Sequence, residues 1–419
     1  MLLSRKSKKK QRIIHYRYSC RICKNPNLIK ILDLGKLPLA GSFVKKKDKN
    51  KIEIKIQLDI HYCDKCKLIQ VKNFVDPQYL FQKYNYSSSQ IFSLNEHFKN
   101  YARTIKKFYK NKKTKLLEFG SNDGVLLKEF KKEKNFFCLG VEPSKNIFKI
   151  AKKKGLRVIN NYFNVEVAKK IRKKFGTFDY ITGSNVFAHI DDIHSVVEAS
   201  KILLNKEGKL VVEIHYLDDL IKLNQYDFFY HEHLNYYTIN SLKVLGELHG
   251  LILTNFEKIS IHAGSIRVEF QFSNNGMSKK LKNILNSEKK INIDYLSKFK
   301  KNIFNQKKEI IKILKRLITY NKKIIGFGAP GRGTTFLNFC SINNNYLNYI
   351  VDSSPLRAGK LMPGIKVPIY HTDYLVKNHK EVDYILIIAW SYKDQIIKQV
   401  RKINKNIKFI IPFPKPKII

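Results

Sequence analysis

Lys115-Leu-Leu-Glu-Phe-Gly-Ser-Asn-Asp-Gly124 decides how this chain folds. A short apolar strand runs into a turn with two glycines, Gly120 and Gly124, and a helical pattern over Val125 to Lys131 follows. Glycines there let the backbone come close to a ligand, and a helix that opens beyond them offers unpaired N–H groups. The next strand, Phe137-Cys-Leu-Gly-Val141, ends at Glu142-Pro143 and precedes a helix over Ile147 to Lys153. An acidic residue about 20 positions after such a loop suits a ribose, because one carboxylate accepts from both hydroxyls. Further strands stand at Phe178-Asp-Tyr-Ile-Thr182 and Lys209-Leu-Val-Val-Glu-Ile214. Strand and helix alternating at this spacing predict an α/β fold with a doubly wound, mostly parallel sheet.

Two cofactors use this geometry. A dinucleotide calls for G-x-G-x-x-G and lays its pyrophosphate on the helix dipole. This loop lacks that pattern and carries Glu118 and Asp123. Carboxylates repel a pyrophosphate and attract the amino and sulfonium groups of S-adenosylmethionine, so the sign of the charge favours the methyl donor. The residues assigned to it are Glu118, Gly120, Asn122, Asp123, Gly124, Glu142 and Pro143. An ordinary strand–turn–helix with acidic caps is the plainer alternative.

Ahead of this unit lie two cysteine pairs, Cys20-Arg-Ile-Cys23 and Cys63-Asp-Lys-Cys66. Each turn presents two thiolates, and together they complete a tetrahedral site for Zn2+. The 39 residues between the pairs exceed the commoner spacing of roughly 15–20. A β insertion, with a strand over Ile52 to Leu58, accommodates them. No catalytic ligand stands beside the four cysteines, so the site reads as closed and structural. Cys138 and Cys340 read as core residues.

Residues 278–320 are Lys-rich with helical periodicity. A second strand–helix series begins at Lys323-Ile-Ile-Gly-Phe327 and continues at Leu347 to Val351, Tyr384 to Ala389 and Ile407 to Ile411. The organisation expected is a zinc-binding module over 1–72, a methyl-donor domain over 73–277, a helical connector over 278–320 and a smaller Rossmann-like domain over 321–419. A Tyr-rich connector, Tyr79 to Ser89, and a helix over Leu94 to Phe108 lead into the second of these.

The formal net charge of +46 would suit a polyanion, but Lys is interleaved with Asn and Ile along the whole chain. Beyond the first dozen residues no long basic tract stands out, which points to solvated surface charge and to an anionic metabolite rather than nucleic acid. No leader-like apolar segment is visible, and no run reaches the ~18 apolar residues of a membrane span. A cytoplasmic protein with no membrane partner is expected.

Tyr230-His-Glu-His233 stands out in a chain with 12 histidines. In extended backbone, Tyr230 and Glu232 would share one face and His231 and His233 the other. Any of these groups moves protons, and histidine does so near neutral pH. A metal pair formed by the two histidines and a purely structural polar cluster are the alternatives. The loop Gly326-Phe-Gly328-Ala-Pro-Gly331-Arg332-Gly333-Thr334 follows a strand and precedes a helix, which suits a phosphate; a fold with no ligand of its own remains open. Asn185 and His189 read equally well as a strand end and a helix cap.

With the paired cysteines, these motifs resemble the sugar C-methyltransferases that act on nucleotide-linked keto-deoxysugars. The resemblance covers nearly the whole chain. It rests also on Gly120-Ser-Asn-Asp-Gly124, Glu142-Pro-Ser144, Asn185-Val-Phe-Ala-His189, His262-Ala-Gly-Ser-Ile-Arg267 and Gly326-Phe-Gly-Ala-Pro330. It implies a class I methyltransferase sheet between a zinc module and a C-terminal Rossmann-like domain that closes over the sugar nucleotide. It implies His233 as the base that removes a proton beside a ketone. Glu232, Tyr230, His189 and Asn185 would orient the sugar or hold the enolate. Tyr84 would join the catalytic group from the connector, and Tyr86, His231, Gly328, Arg332 and Thr334 would contact substrate. The family pattern has Ala, Lys and Asn where this chain has Gly331, Arg332 and Thr334, and Arg changes the donor geometry. An RNA methyltransferase and a non-catalytic zinc scaffold are the competing functions. Asn185-Val-Phe departs from the Asn-Pro-Pro-aromatic motif of base-amine methylation.

Overall fold

The structure, a computed structural model, describes residues 13–81, 87–110, 112–261, 264–273 and 277–419. The N-terminal module holds β1 (Ile14–Tyr16), β2 (Ile29–Pro38), β3 (Val44–Lys45), β4 (Lys55–Tyr62), β5 (Ile69–Val71) and β6 (Asn73–Val75). β2 and β4 form an antiparallel ladder that ends at the Pro38–Lys55 pair. The strand expected from Ile52 therefore starts three residues late. Ile52 has no partner strand opposite it and is 99% exposed.

The central sheet contains β7 (Thr114–Phe119), β8 (Phe136–Val141), β9 (Val158–Ile159), β10 (Phe178–Ser184) and β11 (Leu204–His215). β12 (Asn235–Tyr236) leaves this sheet and pairs with β5 of the zinc module. β13 (Ile252–Ile259) and β14 (Ser265–Gln271) complete the central sheet in the order β13-β14-β11-β10-β7-β8-β9. β7 to β11 run parallel, and β14 is antiparallel to both neighbours. The chain winds outward from β7 and then returns to lay β10 on its other side. A crevice opens outside the carboxyl ends of the strands at such a reversal. The helix expected over Val125 to Lys131 is instead a set of turns with a 3-10 stretch at Leu127–Phe130. Val125, Leu126 and Leu127 are all buried, and three successive buried residues do not fit the single buried stripe of a surface helix.

The connector forms two helices, Lys279–Glu288 and Ile293–Thr319. The second buries Leu296, Phe299, Ile303, Gln306, Ile310, Leu314 and Leu317, a continuous stripe at spacings of three and four. The C-terminal unit has β15 (Ile324–Phe327), β16 (Ile350–Asp352), β17 (Lys360–Leu361), β18 (Ile369–His371), β19 (Tyr384–Ile387), β20 (Lys408–Ile411) and β21 (Lys417–Ile418). Six of these form the sheet β18-β16-β15-β19-β20-β21, while β17 pairs with β3 of the zinc module.

This unit has its own sheet, as its strands predict, but not its own core. One apolar cluster runs from Leu32, Leu58 and Tyr62 of the zinc module through Tyr226, Phe228 and Phe299 to Phe336, Ile385 and Phe409. A second joins Cys20, Ile22, Cys63 and Cys66 to Leu117, Phe119 and Val212 of the central sheet. The zinc module is a wedge packed against both sheets. No helix among the described residues is long and apolar enough to cross a membrane.

Candidate active site and zinc cluster

The sulfurs of Cys20, Cys23, Cys63 and Cys66 all lie within 4.8 Å of one another. Cys20 Sγ is 3.4 Å from Cys66 Sγ, and Cys23 Sγ is 3.4 Å from Cys63 Sγ. Each turn is closed by the residue after its second cysteine. Lys24 N–H donates to the Cys20 carbonyl and Lys67 N–H to that of Cys63, and both lysines sit at positive φ. Hydrogen bonding from Cys20 and Cys66 pulls the Cys63 thiol far below its ordinary value, while Cys20, giving its proton toward Cys63, is pushed up to about 12. A thiol cluster this tight carries more than one negative charge only with a cation at its centre. The four-sulfur donor set fits Zn2+.

At the carboxyl end of β7, Glu118 is buried and its Oε2 has no partner among the described residues. Burial, with Glu142, Asp123 and Glu213 nearby, pushes its carboxyl well above the ordinary value. A buried acceptor in an acidic surround fits a cationic ligand. Glu142 accepts from Asn122 N–H at 2.9 Å and Ser144 N–H at 2.8 Å, which fixes the carboxylate at the end of β8. The Pro143 carbonyl is tied to Asn160 at 2.9 Å. Gly120 lies at φ +61, where a Cβ would stand 2.4 Å from Val186 Cγ2. Gly124, at φ +78, would bring one to 2.1 Å from Leu156 Cδ1. Packing and the left-handed backbone therefore demand these glycines.

Asp123 has another role than the one expected. It accepts from Ser87 Oγ at 2.7 Å, from Ser89, and from Lys154 Nζ at 2.9 Å. Burial alone would raise its carboxyl, and these three donors overcome that and hold it below the ordinary value. Asn122 Oδ1 accepts from Ser88 N–H at 2.9 Å. Together these two residues anchor the end of the Tyr-rich connector on the loop, and Lys154 offsets the Asp123 charge. Glu118 and Glu142 are the two carboxylates at the strand ends that have no lysine or arginine on them among the described residues.

The catalytic candidates gather at the ends of β10 and β11. Asn185 sits at φ +58, donates its N–H to the Glu213 carbonyl at 2.7 Å, and has a buried Oδ1 without a partner among the described residues. His189 Nδ1 lies 2.8 Å from the Glu232 carbonyl, so Nδ1 carries the proton. Burial pushes His189 down to about 4, which keeps the ring neutral. The expected extended stretch is a turn: His233 N–H donates to the Tyr230 carbonyl at 3.0 Å. The turn brings Tyr230 and His233 together, with Tyr230 Oη 2.6 Å from His233 Nε2. The His189 ring stands edge-on to His233 at 4.7 Å between centroids. Burial lifts the Glu232 carboxyl to about 7. Its Oε1 lies by Gly41 of the zinc module, 3.5 Å from where a Cβ would stand.

His231 turns the other way. It is 1% exposed, and its Nε2 lies 3.0 Å from the Ile56 carbonyl of β4. The reversal at 230–233 sends neighbouring side chains apart, so His231 holds the zinc module rather than facing the cluster. His215 was not foreseen. It ends β11, and its ring is 5.5 Å from that of His233 and 4.5 Å from Phe228. The signal available was its place one residue beyond a predicted central strand. Tyr84 and Tyr86 lie outside the described residues.

The C-terminal loop is already occupied by protein. Gly328 N–H donates to Val351, and Ala329 N–H to Asp352 Oδ2 at 2.6 Å. Asp352, at the end of β16, is further held by Ser354 and Arg357. Gly328, at φ +84, is required by Ala389, whose Cβ would be 2.4 Å from an added one. Thr334 Oγ1 donates to the Ala40 carbonyl at 3.2 Å and is buried. Arg332 lies between the rings of Phe228 and Trp390, at 4.7 and 4.8 Å, and donates to Ser391 at 2.7 Å. Gly328 and Thr334 thus join protein to protein. The helix that follows, Gly333–Phe339, is too short to supply a strong dipole.

Three families match in chain order. Residues 20–81 match the family described as "Putative zinc binding domain", 93–255 "Methyltransferase domain" and 260–414 "C-methyltransferase C-terminal domain". C-methyltransferase NovU of Streptomyces niveus is 28% identical over 407 residues, which are 96% of each chain. The chain is an S-adenosylmethionine-dependent methyltransferase, similar over nearly its whole length to that C-methyltransferase. Its cofactors are S-adenosylmethionine and zinc. Among solved structures, the PH0226 protein of Pyrococcus horikoshii OT3 is 14% identical, with a TM-score of 0.35, over 46% of this chain and 97% of that one. Magnesium protoporphyrin IX methyltransferase of Synechocystis PCC 6803, with bound SAH, is 10% identical, with a TM-score of 0.34, over 44% and 88%.

Proposed function

We propose that this methyltransferase methylates the carbon beside the ketone of a nucleotide-linked 4-keto-deoxysugar, with His233 as the base. The observation that carries the reading is the Tyr230–His233 contact of 2.6 Å, beside His189, at the carboxyl edge of the sheet. Carbon becomes a nucleophile only when a neighbouring carbonyl lets a base form an enolate, and S-adenosylmethionine, when bound, supplies the electrophilic methyl group. Glu118 and Glu142 are the residues that would hold it. Tyr230 Oη–H donates to His233 Nε2, so the proton leaves carbon for the phenol oxygen as the phenol's own proton passes to His233 Nε2. His189 is neutral with its proton on Nδ1, so its Nε2 accepts a sugar hydroxyl. Glu232, raised to about 7, is protonated in part at neutral pH and donates toward the enolate oxygen. Arg332, between Phe228 and Trp390, faces the buried Asp227 carboxylate at 3.6 Å and would meet the substrate only by exchanging that partner. The abundance of lysine favours an anionic substrate.

The test separates proton removal from methyl transfer. In D2O, without the donor, the enzyme is incubated with a nucleoside-diphosphate 4-keto-6-deoxysugar and deuterium entry is followed by NMR. Exchange in the wild type and none in His233→Ala is the expected result. Equal exchange in both would remove His233 from the base role. Labelled methyl donor with a panel of such sugars then locates the carbon.

A further inference from the structure

Arg21 stands inside the first zinc turn, between Cys20 and Cys23, and is 1% exposed. Its N–H donates to Gln70 Oε1 at 2.9 Å, and its Nη1 to the Val71 carbonyl at 2.7 Å. Its Nε donates to Asp191 Oδ1 at 2.9 Å. Arg17 places a second guanidinium on the same carboxylate. The neighbouring Ile22 carbonyl is 2.9 Å from His194 Nε2. The two interior residues of the turn thus grip the segment from Asp191 to His194, where helix Ile193–Leu203 begins, capped by Asp192. His189 lies two residues before Asp191. On its other side the segment around His189 is held by the second catalytic stretch, with Leu234 N–H on the Ala188 carbonyl at 2.6 Å, Asn235 on the Ile190 carbonyl at 2.8 Å and His189 Nδ1 on the Glu232 carbonyl at 2.8 Å.

An exposed ion pair contributes little, whereas removing one member of a buried pair leaves an uncompensated charge. A fully buried arginine within a metal-binding turn is needed for the ion only through its backbone. Its side chain instead reaches Asp191, two residues after His189. We infer that the Arg21–Asp191 pair is a positioning device, through which the folded zinc turn sets the imidazole of His189 against His233. The inference rests on the reading of His189 as part of the catalytic cluster. Zinc in this account orders the turn, the turn orders Asp191, and Asp191 fixes the link that carries His189.

The test uses the full-length holoenzyme and Asp191→Ala, with Asp191→Asn as the milder change should the first fail to fold. Zinc content, donor affinity by calorimetry, methyl transfer to a nucleoside-diphosphate 4-keto-6-deoxysugar and the His189 Nδ1–H resonance are measured together. The resonance is assigned by its loss in His189→Ala. The expected result is unchanged zinc and donor binding, a shifted or broadened His189 signal, and kcat lowered about 10- to 100-fold with KM less affected. Chelating zinc from the wild type should move the same resonance. A variant that melts earlier yet keeps the His189 signal and kcat would overturn the inference and leave the pair as a clamp alone. Full kcat in His189→Ala would overturn the reading of the site instead.

Discussion

Glu232 and Gly120 show how far single residues are constrained by their surroundings. Burial lifts Glu232 to about 7, above the unfolded value near 4.5. A carboxyl raised in this way favours the folded state fully below pH ~4.5, and that contribution is lost as pH rises toward 7. Glu232→Gln should therefore flatten the fall in melting temperature between pH 5 and pH 8, and parallel profiles for the two proteins would count against a raised carboxyl. Gly120→Ala meets both a left-handed backbone and Val186 at 2.4 Å. A loss of about 2 kcal/mol or more is expected from urea unfolding. A neutral change would mean that the loop relaxes.

Among the elements, the loop after β7 is where structure redirected a sequence expectation most clearly. Asp123, Ser87, Ser89 and Lys154 form an anchor for the end of the Tyr-rich connector. Asp123→Asn should then lower stability by about 1–2 kcal/mol, since Lys154 is partly solvated and loses little by being unpaired. Donor affinity should fall by no more than a few-fold. Glu142→Ala should weaken donor binding tenfold or more, because it removes both the acid at the end of β8 and the acceptor of the Asn122 N–H. Calorimetry on the pair decides which carboxylate serves the donor. A reversed order would return Asp123 to the cofactor site. The turn at Tyr230 to His233 shows the same effect: one backbone bond from His233 to Tyr230 joins two side chains that an extended strand would have separated.

For the whole molecule, the cores cross every expected boundary. Leu32 of the zinc module and Phe409 of the last parallel strand belong to one apolar cluster, and three zinc-binding cysteines belong to another with the central sheet. Chelating zinc should therefore lower the melting temperature of the entire chain in one transition, rather than unfold residues 1–72 alone. A fragment over 321–419 should be insoluble or unfolded, because Phe336 and Leu337 lose their apolar partners in the zinc module and the connector. Differential scanning calorimetry with two resolved transitions, or a folded isolated fragment, would contradict this.

The local pattern determined what depends on neighbours in the chain. Alternating strands and helices, the cysteine turns, the apolar stripe of helix Ile293–Thr319 and the acidic loop after β7 all follow from spacing and side-chain chemistry within a few residues. What had to wait for the tertiary structure depends on partners far away in sequence. His215 joins the cluster, His231 leaves it, Asp123 becomes an anchor, and the C-terminal loop spends its amides on Asp352. The physical reason is that periodicity reports which face of an element is buried, whereas the use of a buried polar group is set by whichever donor or acceptor the packing brings to it.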